Sequence, residues 1–470
     1  MSSLTSDVLV LGAGISGLSA AFRLHQQQVD VVVVDRADRV GGVITTRSKE
    51  GYRWEEGPNS FTPSPALLNL IADAGVADRL VWADGKLPRF VYLNGTLTPV
   101  PMTPPDLSKS NLLSFGAKLR ALFGVLGFSP KAPKDKEETV EEFFARQLGP
   151  QVVERLVGPF TSGVYAGSTQ QLSASAAFSK VADLERDYGS IIAGVIRSSK
   201  KAKPPISDKI APKPKRGQLG NFREGLQELP DAVAQALGDA VKLQWEATQV
   251  VKEGDRYITT FTTPTGTQTV ESKAIVMTVP AYRAAPLLKS LDEALAAELT
   301  EIPYPHVAAV TLAYPAEALP QPFAGFGQLF PRNQGIRTLG TIWTSSLFPG
   351  RAPDGYQCTL SYIGGATDPD IAKLTNEELA DVVHGDLSKT LLVNDAEPRV
   401  MGVRRWEQAI PQYTLGHRQR IARMNEILTD YPGIMLCSNY LDGVSLGDCV
   451  RRGEERAAEL VEWLGQAKVA

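Results

Sequence analysis

The residues with the clearest chemical spacing lie near the N-terminus. Gly12-x-Gly14-x-x-Gly17 follows the apolar run Val8 to Leu11 and precedes Ile15, Leu18 and Phe22, which recur at helical spacing. A second apolar run, Val31 to Val34, ends in Asp35. The order is strand, glycine turn, helix, strand, acid. Gly12 permits a tight turn, Gly14 lets a pyrophosphate approach the backbone, and Gly17 lets the helix pack closely on the strand. The helix N-terminus then offers free N–H groups and a partial positive charge to the phosphates. Asp35 lies 18 residues past Gly17, near the offset of about 20 at which an acid meets a ribose hydroxyl. The pattern predicts dinucleotide binding. A glycine-rich turn in an ordinary βαβ unit is the plainer alternative.

Three further stretches point to FAD rather than a nicotinamide. Asp35-Arg36 is followed by Arg39-Val40-Gly41-Gly42 and then Thr45-Thr46, a glycine pair that lets a second loop pass close to a cofactor. Glu56-Gly57-Pro58-Asn59-Ser60 repeats the theme with polar groups where a flavin ring could sit. Near the C-terminus, NYLDGVSLG sets Gly443, Val444 and Ser445 just before a helix, whose N-terminus stabilises the negative charge of a reduced flavin.

The elements around these stretches alternate between helix and strand patterns, which excludes all-α and all-β folds. A helix is expected over 64–84 with a cap at Ser64, and a hairpin over 89–100 with Asn94-Gly95 at the turn. Residues 111–128 are apolar at helical spacing, which fits either an interfacial membrane helix or a buried core helix. Residues 139–196 read as helical, broken at PFTSGVYAG. Residues 200–216 hold seven basic residues, one acid and four prolines. They read as a solvated, mobile loop or as a contact with anionic lipid headgroups. A helix over 222–238, strands over 241–279, four more strands between 307 and 363 and a helix near 376–391 follow.

The 470 residues are enough for two or three domains, and a net charge of -3 argues against a whole-chain nucleic-acid binder. Cys358, Cys437 and Cys449 form no CxxC and suit a reducing compartment. The four histidines are not paired at metal-ligand spacing, so no metal site is expected. MSSLTSD runs straight into the first strand, so no signal or transit peptide is expected, and no apolar run is long enough to span a membrane.

The run GAGISGLSAAFRL…VVVVDRADRVGGVITT…GYRWEEGPNSF resembles the flavin amine oxidase and phytoene desaturase superfamily. PFTSGVYAG, FGQLFP, TLGTIWTSSLFPGRAP, SYIGG and WEQAIPQYTLGH narrow the resemblance to its plastid-type protoporphyrinogen oxidases. The resemblance implies an α/β fold: a discontinuous Rossmann-like FAD-binding domain (1–85, 214–283 and 404–470), a mixed-sheet substrate domain (86–98 and 284–403) and a helical membrane-contacting insertion (99–205). It implies FAD bound non-covalently and a six-electron oxidation of protoporphyrinogen IX, with dioxygen reoxidising the flavin and giving hydrogen peroxide. The protein would then be peripheral to a membrane, in a bacterial cytoplasm or on the plastid or thylakoid side. A homodimer and a contact with the next tetrapyrrole-pathway enzyme are compatible with it.

By the same resemblance, Gly12, Gly14, Ser16 and Gly17 form the pyrophosphate turn. Asp35 is the ribose acid, one methylene shorter than the glutamate more usual there. Arg36 and Gly42 belong to the extended motif, and Gly57, Pro58, Asn59 and Ser60 to the flavin-proximal loop. Val250 would meet adenine through its backbone, Trp406 would lie near the flavin, and Val444 and Ser445 would form the C-terminal flavin motif. Cys437 and Ser438 stand where small glycines are common. On the substrate side, Arg89 would pair with a propionate, since a guanidinium holds a carboxylate through two parallel hydrogen bonds. Leu329, Ile342 and Tyr362 would wall the macrocycle, with Gly167 lining the same cleft.

No Ser/His/Asp arrangement or catalytically spaced carboxylate pair stands out, so no side chain is expected to act as an essential general base. Pyrrole N–H groups can lose protons to solvent through tautomerisation. Arg89 would orient the ring and Asn59 would position flavin or substrate. Coproporphyrinogen oxidation, carotenoid desaturation, amine oxidation and a flavin-binding module without turnover remain the competing readings.

Overall fold

The computed structural model describes residues 3–133, 136–191, 197 and 204–467. Strand β1 (Ser3–Leu11), helix α1 (Ile15–Gln26) and strand β2 (Val31–Asp35) form the expected βαβ unit. They sit in a seven-stranded sheet, with β1 parallel to β2 on one side and to Gly266–Met277 on the other. Val241–Leu243 extends the parallel run beyond β2, and Ile434–Leu436 pairs with the end of Gly266–Met277. Glu246–Glu253 and Arg256–Thr263 complete the sheet as an antiparallel meander.

Alternation along β1 explains why this sheet is buried on both faces. Val8 and Val10 join a core with α1, Pro65–Asp73 and the C-terminal helix Leu446–Ala467. Leu9 and Leu11 join a second core with Ala281–Leu288 and Glu293–Thr300.

A second seven-stranded sheet runs in the order Arg399–Trp406, Val307–Pro315, Tyr356–Gly364, Thr338–Ile342, Gly327–Leu329, Arg89–Leu93, Thr96–Pro99. Every pair is antiparallel except Gly327–Leu329 with Arg89–Leu93. The hairpin at its edge turns at Asn94 and Gly95, both with positive φ (50° and 82°), as a two-residue turn of this kind demands.

Two expectations need correction and a third is sharpened. The helix begins at Ser64, whose hydroxyl accepts from Leu67 N–H, but it ends at Asp73. Gly75 (φ 77°) stops it, and Leu80–Trp82 is a strand paired with Gly220–Phe222. The break expected at PFTSGVYAG is present, but it falls at the end of that stretch. Gly158–Tyr165 is itself helical, with Pro159 tolerated in the first turn, and the break falls at the left-handed Ala166. The basic stretch is not a free loop over its described part: Asn69 exchanges hydrogen bonds with Pro205 and Ser207, and Ile210 is buried in the first core. Lys213 donates to the Ile206 and Ser207 carbonyls, while Lys200 to Lys203 lie outside the described residues, as do residues 192–196 of the expected 139–196 helix.

Of the two readings for residues 111–128, the buried core helix does not hold. Helix Phe115–Val125 buries only Ala121 and Gly124. Phe115 is 76% exposed and Phe128 72%, with Leu119, Leu122, Phe123 and Leu126 exposed alongside them. No helix among the described residues is long and apolar enough to cross a membrane.

Candidate functional site

The glycine turn is shaped by contact on two sides and left open on the third. Gly12 has φ +112°, and a Cβ there would come within 2.5 Å of Thr278 Oγ1. A Cβ on Gly17 would lie 2.0 Å from the Gly12 carbonyl oxygen. A Cβ on Gly14 would meet nothing within 4 Å, so this glycine faces space, not protein. That open face at a helix start fits a pyrophosphate. The glycine pair closes over it as expected: Gly41 N–H donates to Ala13 O at 2.8 Å, and a Cβ on Gly42 would lie 3.3 Å from Gly14 Cα.

Arg39, which the sequence reading passed over as a site residue, shapes that second loop. It donates to the carbonyls of Val40, Ile44 and Gly42 at 3.0, 2.8 and 2.8 Å and to the Thr45 hydroxyl. Arg36 is exposed beside it. Burial lowers the Arg39 pKa, with Arg47 and Arg404 adding to the shift and Glu56 and Asp38 opposing it.

Asp35 does a job that its spacing alone did not reveal. Its carboxylate accepts from Ala13 N–H at 2.7 Å and from Ala37 N–H at 2.9 Å. It therefore fastens the glycine turn to the end of β2, and each oxygen keeps a lone pair for a ribose hydroxyl. Gln244 and Trp245 reach the same place, donating to the carbonyls of Ala37 and Asp35 at 2.9 Å. Val250, by contrast, is 0% exposed and its carbonyl accepts from the Ser290 hydroxyl at 2.8 Å.

Three helix N-termini gather at this edge. The first turn of α1 packs on Leu446–Ala467, where a Cβ on Gly453 would come 2.7 Å from the Ser16 carbonyl oxygen. A Cβ on Gly447 would come 2.6 Å from Ser64 Oγ, the cap of Pro65–Asp73. Ser445 caps the C-terminal helix, accepting from Asp448 N–H at 3.1 Å, and Val444 packs against the core cluster that includes Tyr165 and Tyr413. The aligned dipoles place partial positive charge where an anionic cofactor would lie.

The Gly57–Ser60 loop joins the two sheets. Tyr362 donates through its hydroxyl to Gly57 O at 2.7 Å, and Trp406 Nε1 donates to Glu56 O at 3.2 Å. Burial pushes the Tyr362 phenol well up, so it stays protonated and donates. A Cβ on Gly57 would overlap Val43 O, and Pro58 follows with its fixed φ. Asn59 is 6% exposed and its amide nitrogen has no partner, as a donor meant for a ligand would be.

The substrate-side residues line up across the second sheet. Arg89 pairs in register with Gly327, and Gly327 with Ile342; Leu329 pairs with Gly340, and Gly340 with Tyr362. Directly opposed residues share a face, so Arg89, Leu329, Ile342 and Tyr362 all stand on one side of it. The Arg89 guanidinium lies 3.8 Å from the Phe326 ring centroid and donates to Gly217 O at 3.3 Å. Its Nη1 is buried without a partner, and burial lowers its pKa with no carboxylate opposing the shift. The glycine over Leu329 is Gly163, where a Cβ would come 2.7 Å from Leu329 Cδ2. Gly167 instead packs on Gln412 and Leu172.

Residues 15–461 match the model of the flavin containing amine oxidoreductases. The chloroplastic protoporphyrinogen oxidase 1 of Spinacia oleracea is 46% identical over 98% of this chain and 85% of its own. The coproporphyrinogen III oxidase of Bacillus subtilis is 30% identical over 99% of this chain and 100% of its own. Among solved structures, one from Exiguobacterium sp. 255-15 superposes with a TM-score of 0.78 at 25% identity, covering 98% of this chain and all (100%) of that one. The cyclohexylamine oxidase of Brevibacterium oxydans IH-35A shares the fold, with a TM-score of 0.69 at 18% identity over 98% of this chain and 99% of its own.

The chain therefore belongs to the flavin-containing amine oxidoreductases and, within them, to the protoporphyrinogen oxidases. It is an oxidoreductase whose cofactor is FAD.

Proposed function

We propose that the chain oxidises protoporphyrinogen IX to protoporphyrin IX, a six-electron reaction, with dioxygen as final acceptor and hydrogen peroxide as by-product. The observation that carries the substrate reading is Arg89: a half-buried guanidinium with an unpartnered Nη1, on the sheet face that reaches the cofactor loop through Tyr362. A propionate would supply the missing acceptor. When bound, FAD accepts the electrons; the chain's residues hold and orient. Gly12, Gly14, Ser16 and Gly17 would receive the pyrophosphate, Asp35 the ribose, and the Gly57–Ser60 loop with Val444 and Ser445 the ring. Leu329, Ile342 and Tyr362 would hold the macrocycle in a dry slot against it. Among the described residues no carboxylate or histidine pairs with Arg89, Leu329, Ile342 or Tyr362 on this face, in keeping with proton loss from pyrrole nitrogens to solvent.

Identity supports the two-propionate ring over its four-propionate relative, at 46% against 30%. Porphyrin fluorescence with each porphyrinogen tests this. A higher kcat/KM for protoporphyrinogen is expected; a higher one for coproporphyrinogen would reassign the substrate.

We also infer that the apolar face of Phe115–Val125 rests in a membrane surface. The stripe Phe115, Leu119, Leu122, Phe123, Leu126 and Phe128 is larger than scattered surface residues explain. Liposome flotation should be lost in Phe115→Ser/Phe128→Ser; retained flotation would overturn this. The division into FAD-binding, substrate and insertion segments is supported by which sheet each strand joins. Strand Arg399–Trp406 moves one boundary, since it belongs wholly to the second sheet.

A further inference from the structure

Beneath the Gly57–Ser60 loop lies a polar group that the reaction itself does not use. Glu55 is 1% exposed and Arg351 3%, and the guanidinium stands 3.9 Å from the carboxylate. Glu55 also accepts from Leu226 N–H at 3.0 Å, from the Thr46 hydroxyl at 2.7 Å and from the Asn221 amide at 3.2 Å. Burial raises the Glu55 pKa, while Arg351 and these three donors oppose the shift. Such a buried ion pair is weak grounds for stability, because desolvation offsets the attraction. Its geometry points to another role.

Asn221 is the link. The amide nitrogen that donates to Glu55 also donates to the Asn59 carbonyl at 2.7 Å, and Asn221 Oδ1 accepts from Phe222 N–H at 2.6 Å. Its orientation is therefore fixed, with both donors committed. Alongside, Phe61 and Gly220 exchange backbone hydrogen bonds at 2.9 Å, and a Cβ on Gly220 would strike the Phe61 ring at 2.4 Å. Arg351 arrives from the substrate side of the molecule, donating to Phe222 O at 3.3 Å while its carbonyl accepts from Arg53 N–H at 3.2 Å. Asn59 thus has its backbone held from below and its own amide nitrogen buried and unspent.

We propose that Glu55, Asn221 and Arg351 are positioning residues that fix the Asn59 backbone so that its side-chain amide donates a hydrogen bond to the ring of the bound flavin. This rests on the flavin reading of the site, not on the identity of the tetrapyrrole. Glu55 orients Asn221, the guanidinium from the loop before strand Tyr356–Gly364 faces Glu55, and the Gly57–Ser60 loop is held above them.

The test is a double-mutant cycle read by FAD affinity and by the visible absorption of the holoenzyme. Asn59→Ala and Asn221→Ser should each weaken FAD about tenfold, the worth of one well-placed hydrogen bond, and shift the flavin band. The double variant should be no worse than the poorer single. Effects that multiply would overturn the coupling. Asn59→Ala, which leaves the Asn221 network in place, decides the donor role alone even if Asn221→Ser does not fold; unchanged affinity and an unchanged band would overturn it. A wrong tetrapyrrole would alter neither readout, whereas a wild-type chain that bound no FAD would remove the reading of the site and this proposal together.

Discussion

The two seven-stranded sheets offer their ligands different materials. The first presents backbone: glycines at 12, 14, 17, 41 and 42, and the open ends of three helices. The second presents side chains: Arg89, Leu329, Ile342 and Tyr362 in adjacent rows of one face. A backbone site depends on which atoms are absent, so it tolerates almost no substitution where Cβ positions are filled. A side-chain site depends on charge and shape, so changes there should alter affinity while leaving the fold intact.

The sharpest break in that comparison comes from the glycines themselves. Gly17→Ala places a Cβ 2.0 Å from the Gly12 carbonyl, so it should abolish FAD retention and lower the melting temperature. Gly14→Ala has no protein atom within 4 Å, so it should melt like the wild-type apoprotein and yet bind FAD weakly. Equal melting losses in both variants would show that Gly14 serves packing and not a ligand.

Next in size is Arg89→Ala, which should lower kcat/KM for the porphyrinogen about 10- to 100-fold, the range for a charge-assisted hydrogen bond. FAD content should not change. An unaltered kcat/KM would remove the orienting role.

A smaller effect belongs to the first sheet's surroundings. His417, stacked on Tyr413 with ring centroids 4.5 Å apart, has its pKa lowered by burial to about 4. Since the unfolded value is about 6.5, the unfolded chain binds the extra proton between these values. Stability from the neutral ring is full above about 6.5 and is lost as pH falls toward about 4, at no more than about 1.4 kcal/mol per pH unit. Urea unfolding at pH 5 and 7 should show this slope reduced in His417→Gln; the same slope in both proteins would contradict it.

The smallest effect is Tyr362→Phe. It removes one hydrogen bond between the sheets and keeps the wall, so kcat/KM should fall only a few-fold. A loss as large as that of Arg89→Ala would mean the hydroxyl meets substrate or flavin directly.

The same contrast explains what could be read from the sequence. The βαβ unit, its acid and the Asn94-Gly95 hairpin are written in local spacing. The wall is not: Arg89, Leu329 and Tyr362 become neighbours only through strand register, and only resemblance to other chains brought them forward. Asp35 was legible as an acid at the right offset, but its grip on Ala13 N–H was not. Gly163 escaped notice because PFTSGVYAG drew attention as a helix break, which falls at Ala166, whereas the missing Cβ at 163 lets the helix before that break press on Leu329. Glu55 and Arg351 each lie in a stretch that carries the resemblance, but their pairing gave no signal, since an acid and an arginine separated by 296 positions show a pair only once both are buried together.

The central claim is that a porphyrinogen held on the second sheet gives its electrons to a flavin held by the first. Adding protoporphyrinogen to the FAD-loaded protein without oxygen measures this most directly. The account predicts that the visible flavin band bleaches, and that oxygen restores it with release of porphyrin. A band that stays unbleached while the porphyrinogen binds would contradict it.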